Sequence, residues 1–82
     1  MQRLTLEEIL ETLAQVFDVA SSEIDSNSSQ DSIENWDSLG HLSLLEALDD
    51  RLDGNAGNVK LLSDATTVEK IYQALKEHNL AK

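Results

Sequence analysis

The chain has 82 residues, with sixteen acidic side chains against six basic ones, a net charge of −10, and neither cysteine nor proline. That length suits one domain around one core, and the missing thiols exclude a disulfide framework or a thiolate metal site. The charge repels nucleic acid and anionic membrane alike, and points to partners with basic faces. Hydrophobic residues make up 40% of the chain and aromatics 4%. Leu dominates, which favours helices packed by aliphatic side chains over a β-sandwich. No apolar stretch is long enough to span a bilayer, and no basic-then-apolar leader opens the chain, so a cytoplasmic, soluble protein is expected.

The first segment carries Leu6, Ile9, Leu10, Leu13, Val16 and Phe17 on one helical stripe. Thr5 and Glu8 have capping-box spacing, and Leu4 and Ile9 have hydrophobic-staple spacing. The pattern predicts a helix from Leu6 to Phe17. From Asp18 to Trp36 the periodicity is lost in a Ser-, Asn- and Asp-rich loop whose side chains compete with helix hydrogen bonding. Such long loops are uncommon in small domains unless they are functional or disordered. Ile24, Ile33 and Trp36 are expected to pin this one to the core, with a short helical turn near Ser22 to Ile24.

The second helix is predicted from the recurrence of Leu39, Leu42, Leu45, Leu48 and Leu52, with Asp37 as its N-cap and Asp53-Gly54 as its stop. Its opposite face carries Glu46, Asp49, Asp50 and Asp53. A flexible GNAGN loop should follow, then one helical turn around Val59, Leu61 and Leu62. The third long helix is predicted to open with a second capping box, Thr66 to Glu69, and to bury Val68, Ile71, Tyr72 and Leu75. The expected architecture is one all-α domain over residues 1–82, a four-helix bundle of three longer helices and one short helix.

Self-sufficient chemistry finds no support. An EF-hand loop counted from Asp49 places Arg51 at its third position and Lys60 at its twelfth, where a bidentate Glu is needed. Counted from Asp25, it ends on Trp36. His41 and His78 lie on different helices, so no metal is expected. Ser38 and His41 are one turn apart, but a helix builds no oxyanion hole around its own first turn, so no enzyme is expected. The glycines lack the spacing of a phosphate loop. Trp36 reads as a loop anchor and His41 as a solvated helix residue.

The junction Asp37-Ser38-Leu39 is the most informative point, because it places a serine where a polar loop enters an acidic helix. The positive end of the helix dipole would there stabilise an attached phosphate. In this motif, and in its order of helix, long loop, D-S-L helix, short turn and T-T-V helix, the chain resembles the acyl carrier protein family, including the peptidyl carriers. The resemblance implies a non-catalytic carrier with 4'-phosphopantetheine covalently attached to Ser38. Acyl or aminoacyl intermediates would ride as thioesters on that arm in fatty acid, polyketide or nonribosomal peptide biosynthesis. It further implies that Asp37 and Leu39 belong to the motif read by a phosphopantetheinyl transferase. Glu46, Asp49 and Asp50 match positions read by acyl-loading and acyl-transferring enzymes with basic surfaces. Trp36 before the motif and Gly40-His41 after it look more like the stand-alone, monomeric carriers of specialised pathways. The alternative is an unmodified, acidic protein-interaction module of the same fold.

The charge is lopsided. Residues 18–53 hold ten acidic side chains and one basic, a net of −9, whereas residues 60–82 hold three acidic and four basic, a net of +1. Mutual repulsion within the first set should be relieved by screening, since the Debye length is about 10 Å at 0.1 M salt. Thermal melts are therefore expected to rise by a few degrees, roughly the 4–8 °C that 1 kcal/mol is worth in a domain this small, between low and moderate salt. Equal melting temperatures in the two buffers would mean that the charges are too well solvated to interact.

Overall fold

The computed structural model describes residues 3–82. It is all-helical. Helix α1 spans Leu6–Phe17, α2 spans Ser38–Arg51 and α3 spans Val68–Glu77. Three 3₁₀ turns, Ser21–Glu23, Ala56–Asn58 and Lys60–Asp64, punctuate the connections. Two isolated β-bridges occur, and no strand forms among the described residues. The longest helix interface is α1 on α2. Helix α3 leans on the Lys60–Asp64 turn and on α1, and that turn in its place touches α2. No helix among the described residues is long and apolar enough to cross a membrane.

Helix α1 has the predicted bounds because its start is specified locally. The Thr5 hydroxyl accepts from the Glu8 N–H at 3.1 Å while the Glu8 carboxylate accepts from the Thr5 N–H at 3.0 Å. These two bonds satisfy donors that an uncapped helix leaves orphaned. Ile9, Leu13 and Phe17 are fully buried, and Leu6, Leu10 and Val16 pack around them. Thr12 is also buried, its hydroxyl donating to the Glu8 carbonyl at 2.8 Å.

The long loop is ordered by its own polar side chains. Asp25 accepts from the Asn27 N–H at 2.8 Å, the Ser28 hydroxyl accepts from the Asp25 N–H at 3.0 Å, and the Ser32 hydroxyl accepts from the Ser29 N–H at 2.9 Å. Each closes a local turn. The 3₁₀ turn Ser21–Glu23 lies close to its expected place, and Ile24, Ile33 and Trp36 are all buried.

Helix α2 departs from expectation in the face that it buries. Leu44, Leu48 and Leu52 are fully buried, whereas Leu39 is 76% and Leu42 59% exposed, with Leu45 between these extremes. The reason is geometric. A strict three-residue spacing falls short of the 3.6-residue turn, so the series 39, 42, 45, 48 drifts by roughly 60° per step around the helix. The four-residue series 44, 48, 52 stays on one side. Leu39 and Leu42 instead share their face with Glu46, Asp49 and Asp53.

Two further expectations are corrected. The GNAGN segment forms the 3₁₀ turn Ala56–Asn58, held by burial of Ala56 and by the Asp49 carboxylate accepting from the Gly57 N–H at 2.8 Å. Helix α3 is capped by Thr67, whose hydroxyl accepts from the Lys70 N–H at 3.0 Å, not by a Thr66–Glu69 box. The long loop takes Thr66 away: its carbonyl accepts from the Gln30 N–H at 2.8 Å, and the Val68 N–H donates to the Ser28 carbonyl at 3.0 Å. Beyond α3, Asn79 adopts φ +64°, and the Leu80 N–H returns to the Leu75 carbonyl in a Schellman closure. Leu80 and Lys82 then flank Leu4, which donates to the Leu80 carbonyl and accepts from the Lys82 N–H, both at 2.9 Å.

The Thr5 backbone N–H, helped by the Thr5 hydroxyl, holds the Glu8 carboxyl below the usual carboxylate range. A depressed carboxyl pKa gives stability that is present above the unfolded-state pKa and lost as pH falls through the folded-state value. Glu8→Gln is therefore expected to melt below the wild type at neutral pH, with the gap closing as the pH falls below the usual carboxylate range. A gap that persists unchanged in acid would show that the carboxylate charge plays no part in the cap.

Candidate functional site

The site is built where the long loop ends and α2 begins. Asp37 is extended, and its carboxylate accepts from the Gly40 N–H at 2.8 Å, capping the helix as expected. Its carbonyl accepts from the His41 N–H at 2.8 Å. Ser38 is the first residue of α2 and is exposed, with exposed Leu39 directly after it. The hydroxyl therefore stands at the positive end of a helix of 14 residues.

Two features fix this junction, and neither is visible as a motif. The first is Gly40. A Cβ there would lie 2.0 Å from the Asn35 carbonyl oxygen and 3.2 Å from the Phe17 ring, so only glycine lets the loop backbone press onto the helix. Asn35 in turn donates from its side-chain amide to the Phe17 carbonyl at 2.7 Å, which ties the loop to the end of α1.

The second is His41, which is not the solvated residue the sequence suggests. It is half-buried, and its ring lies nearly parallel to that of Trp36, at 11° with centroids 6.3 Å apart. Trp36 in turn stacks against Phe17, with ring centroids 5.1 Å apart. The Trp36 indole N–H points at His41 Nδ1 across 3.0 Å, and His41 Nε2 lies 2.8 Å from the Leu62 carbonyl oxygen. An indole N–H can only donate and a carbonyl can only accept, so Nδ1 is the acceptor and Nε2 carries the proton. The neutral ring thus joins the end of the loop, α2 and the Lys60–Asp64 turn.

An open cavity of about 350 Å³ adjoins the serine. Ser38, His41, Leu42 and Leu45 line it from α2, with Ser63 and Thr66 opposite. Leu39 and Leu42 of α2 are exposed large apolar side chains, as is Leu61 in the Lys60–Asp64 turn. The outer face of α2 is therefore apolar near Ser38 and acidic farther along. Glu46 and Asp50 are exposed there, while half-buried Asp49 spends one oxygen on the Gly57 N–H. Among the described residues, no group of three or more His, Asp or Glu side chains is placed to hold a metal ion.

Sequence reasoning thus locates Asp37, Ser38 and Leu39 together on one exposed turn, with the carboxylates Glu46, Asp49 and Asp50 along the same helix. It misses the Gly40 contact and the His41 bridge. Trp36 and His41, five residues apart, are the one signal that could have suggested an indole–imidazole pair. Comparison with family models, curated proteins and solved structures finds no match to this chain.

Gly40→Ala should test how tightly the junction is set. Alanine would gain about 1 kcal/mol of helix propensity, but the backbone oxygen in its way costs more, for a net loss of about 2 kcal/mol. The melting temperature should fall by roughly 8–16 °C. An unchanged or higher melting temperature would mean that the loop yields at no cost.

Proposed function

We propose that the protein is a carrier of the acyl or peptidyl type, bearing 4'-phosphopantetheine on Ser38 and presenting thioester-bound intermediates to partner enzymes. The observation that carries this reading is the exposed Ser38 hydroxyl at the positive end of α2, within the D-S-L turn and beside an open cavity. Attachment requires a nucleophile that a transferase can reach, and Ser38 meets that need. Its Oγ would form the new P–O bond as the pyrophosphate bond of coenzyme A breaks, with 3',5'-ADP departing and the serine proton passing to the transferase. The resulting phosphodiester charge would sit where α2 presents unpaired N–H groups.

The group supplies the terminal thiol on which thioesters form, and this chain has no cysteine that could do so. Asp37 orients the serine turn by capping it. Leu39, and the acidic run Glu46, Asp49 and Asp50, offer partners an apolar contact next to the serine and a negative field beyond it. A basic enzyme surface would associate faster for that field. In this reading the Lys60–Asp64 turn takes the place of the short fourth helix of the bundle, and the protein works as a cytoplasmic monomer in a specialised biosynthetic pathway.

Mass spectrometry after incubation with coenzyme A and a broad phosphopantetheinyl transferase tests the assignment. The wild type is expected to gain one phosphopantetheine and Ser38→Ala none. The variant should keep its stability within about 0.5 kcal/mol, since Ser38 is exposed and Asp37 still caps the helix. Labelling of the Ala variant would place the arm elsewhere. A wild type that stays unlabelled would favour the unmodified interaction module instead.

A further inference from the structure

We infer that His41 is a positioning residue for Ser38: its ring clamps the Lys60–Asp64 turn to the first turns of α2 and so sets the shape of the cavity that Ser38 lines. The kinetic part of this inference rests on the carrier reading; the structural part does not.

The argument begins with what lies on each side of the imidazole. On the Nδ1 side is the Trp36 indole, two residues before Ser38, so the bond fixes the backbone that delivers the serine to the helix. On the Nε2 side is the Leu62 carbonyl, next in the chain to Ser63, which forms the opposite wall of the cavity. Among the described residues, the contact with Leu62 is the side-chain hydrogen bond that joins α2 to this turn. Leu62 itself is buried, with 1% exposure, and cannot shift without moving the turn. Ser38 and His41 are one turn apart on the same helix, so the clamp acts on the near and far walls of one cavity through one rigid ring.

A histidine kept only to fill space would need neither nitrogen in a fixed state. Here each nitrogen meets a group of fixed polarity, and one tautomer alone satisfies both. Substitutions can separate these two roles. His41→Leu keeps approximate volume and removes both hydrogen bonds. His41→Gln restores one acceptor and one donor at similar reach. His41→Phe keeps an aromatic ring at this position and deletes both hydrogen bonds.

The test uses the full chain and two readouts. In the first, backbone amide resonances and hydrogen exchange are followed at Ser38 and Ser63, with the Trp36 indole N–H resonance as the reporter of the clamp. His41→Leu is expected to shift the indole resonance and to perturb both amides, Ser63 exchanging faster, with His41→Gln closer to wild type. In the second, transferase kinetics with coenzyme A should show about a ten-fold lower kcat/KM for His41→Leu, the size of effect that one or two net hydrogen bonds produce. That loss should fall in kcat, because the exposed docking face is unchanged, and should be largely restored in His41→Gln.

A folded His41→Leu whose Ser38 and Ser63 amides match the wild type overturns the inference, as does a defect that His41→Gln does not relieve. If His41→Leu does not fold, His41→Phe decides by the same amides: perturbed supports the clamp and unperturbed removes it. A wild type that the transferase leaves unmodified counts against the carrier reading alone, and the amide readout then decides for His41.

Discussion

Trp36 holds the molecule together at the point where its least regular segment meets its most regular one. It is the largest fully buried side chain, 1% exposed, and it meets both Phe17 of α1 and His41 of α2. Burial of a side chain of that size is worth about 4–6 kcal/mol of transfer free energy, comparable to the whole stability of many small domains. The nineteen-residue stretch 18–36 closes its own polar turns, and this ring, with Ile24 and Ile33, fastens it to the core. Phe17 also supplies the carbonyl that Asn35 binds and one of the surfaces that excludes a side chain at position 40. The start of α2, and with it the exposure of Ser38, follows from how Trp36 is seated.

An acidic chain of this size has little margin, and its polar residues are used with economy. Among the described residues no buried side-chain nitrogen or oxygen lacks a hydrogen-bond partner. All three α-helices are followed by an Asp or Asn with positive φ: Asp18 and Asp53 at 55° and Asn79 at 64°. These are the non-glycine types that tolerate the left-handed region best, and they end helices in a chain with no proline and three glycines. The same residue classes therefore serve as loop formers, helix stops and surface charge.

Local chemistry made much of this fold legible. Helix α1 was readable to the residue because Thr5, Glu8 and the apolar stripe lie within one short window. Asp37 and the three loop anchors were readable for similar reasons. The buried face of α2 was not, because its leucines occupy nearly every direction around the helix and only tertiary packing chooses among them. Thr66 has the spacing of a cap, but a strand-like contact from Gln30 claims its backbone, a partner thirty-six residues away that no local pattern encodes. The exposed serine turn was legible as a motif. The ring that braces it was not, since one of His41's two partners lies twenty-one residues farther on.

The pairing of Leu4 with Leu80 and Lys82 joins segments from opposite ends of the described chain. Closing so long a loop costs on the order of 4 kcal/mol of chain entropy, and two backbone bonds alone do not offset it. This seam raises the contact order of an otherwise local, fast-folding topology and belongs late in assembly, after α1 and α2 have docked. Burial of Leu4, Leu80 and Ala81 in the same core as Trp36 supplies the rest of what closing the loop requires. The two ends of the described chain are thus sewn to each other through the core, while the serine turn is braced by side chains, through Trp36, His41 and Asn35.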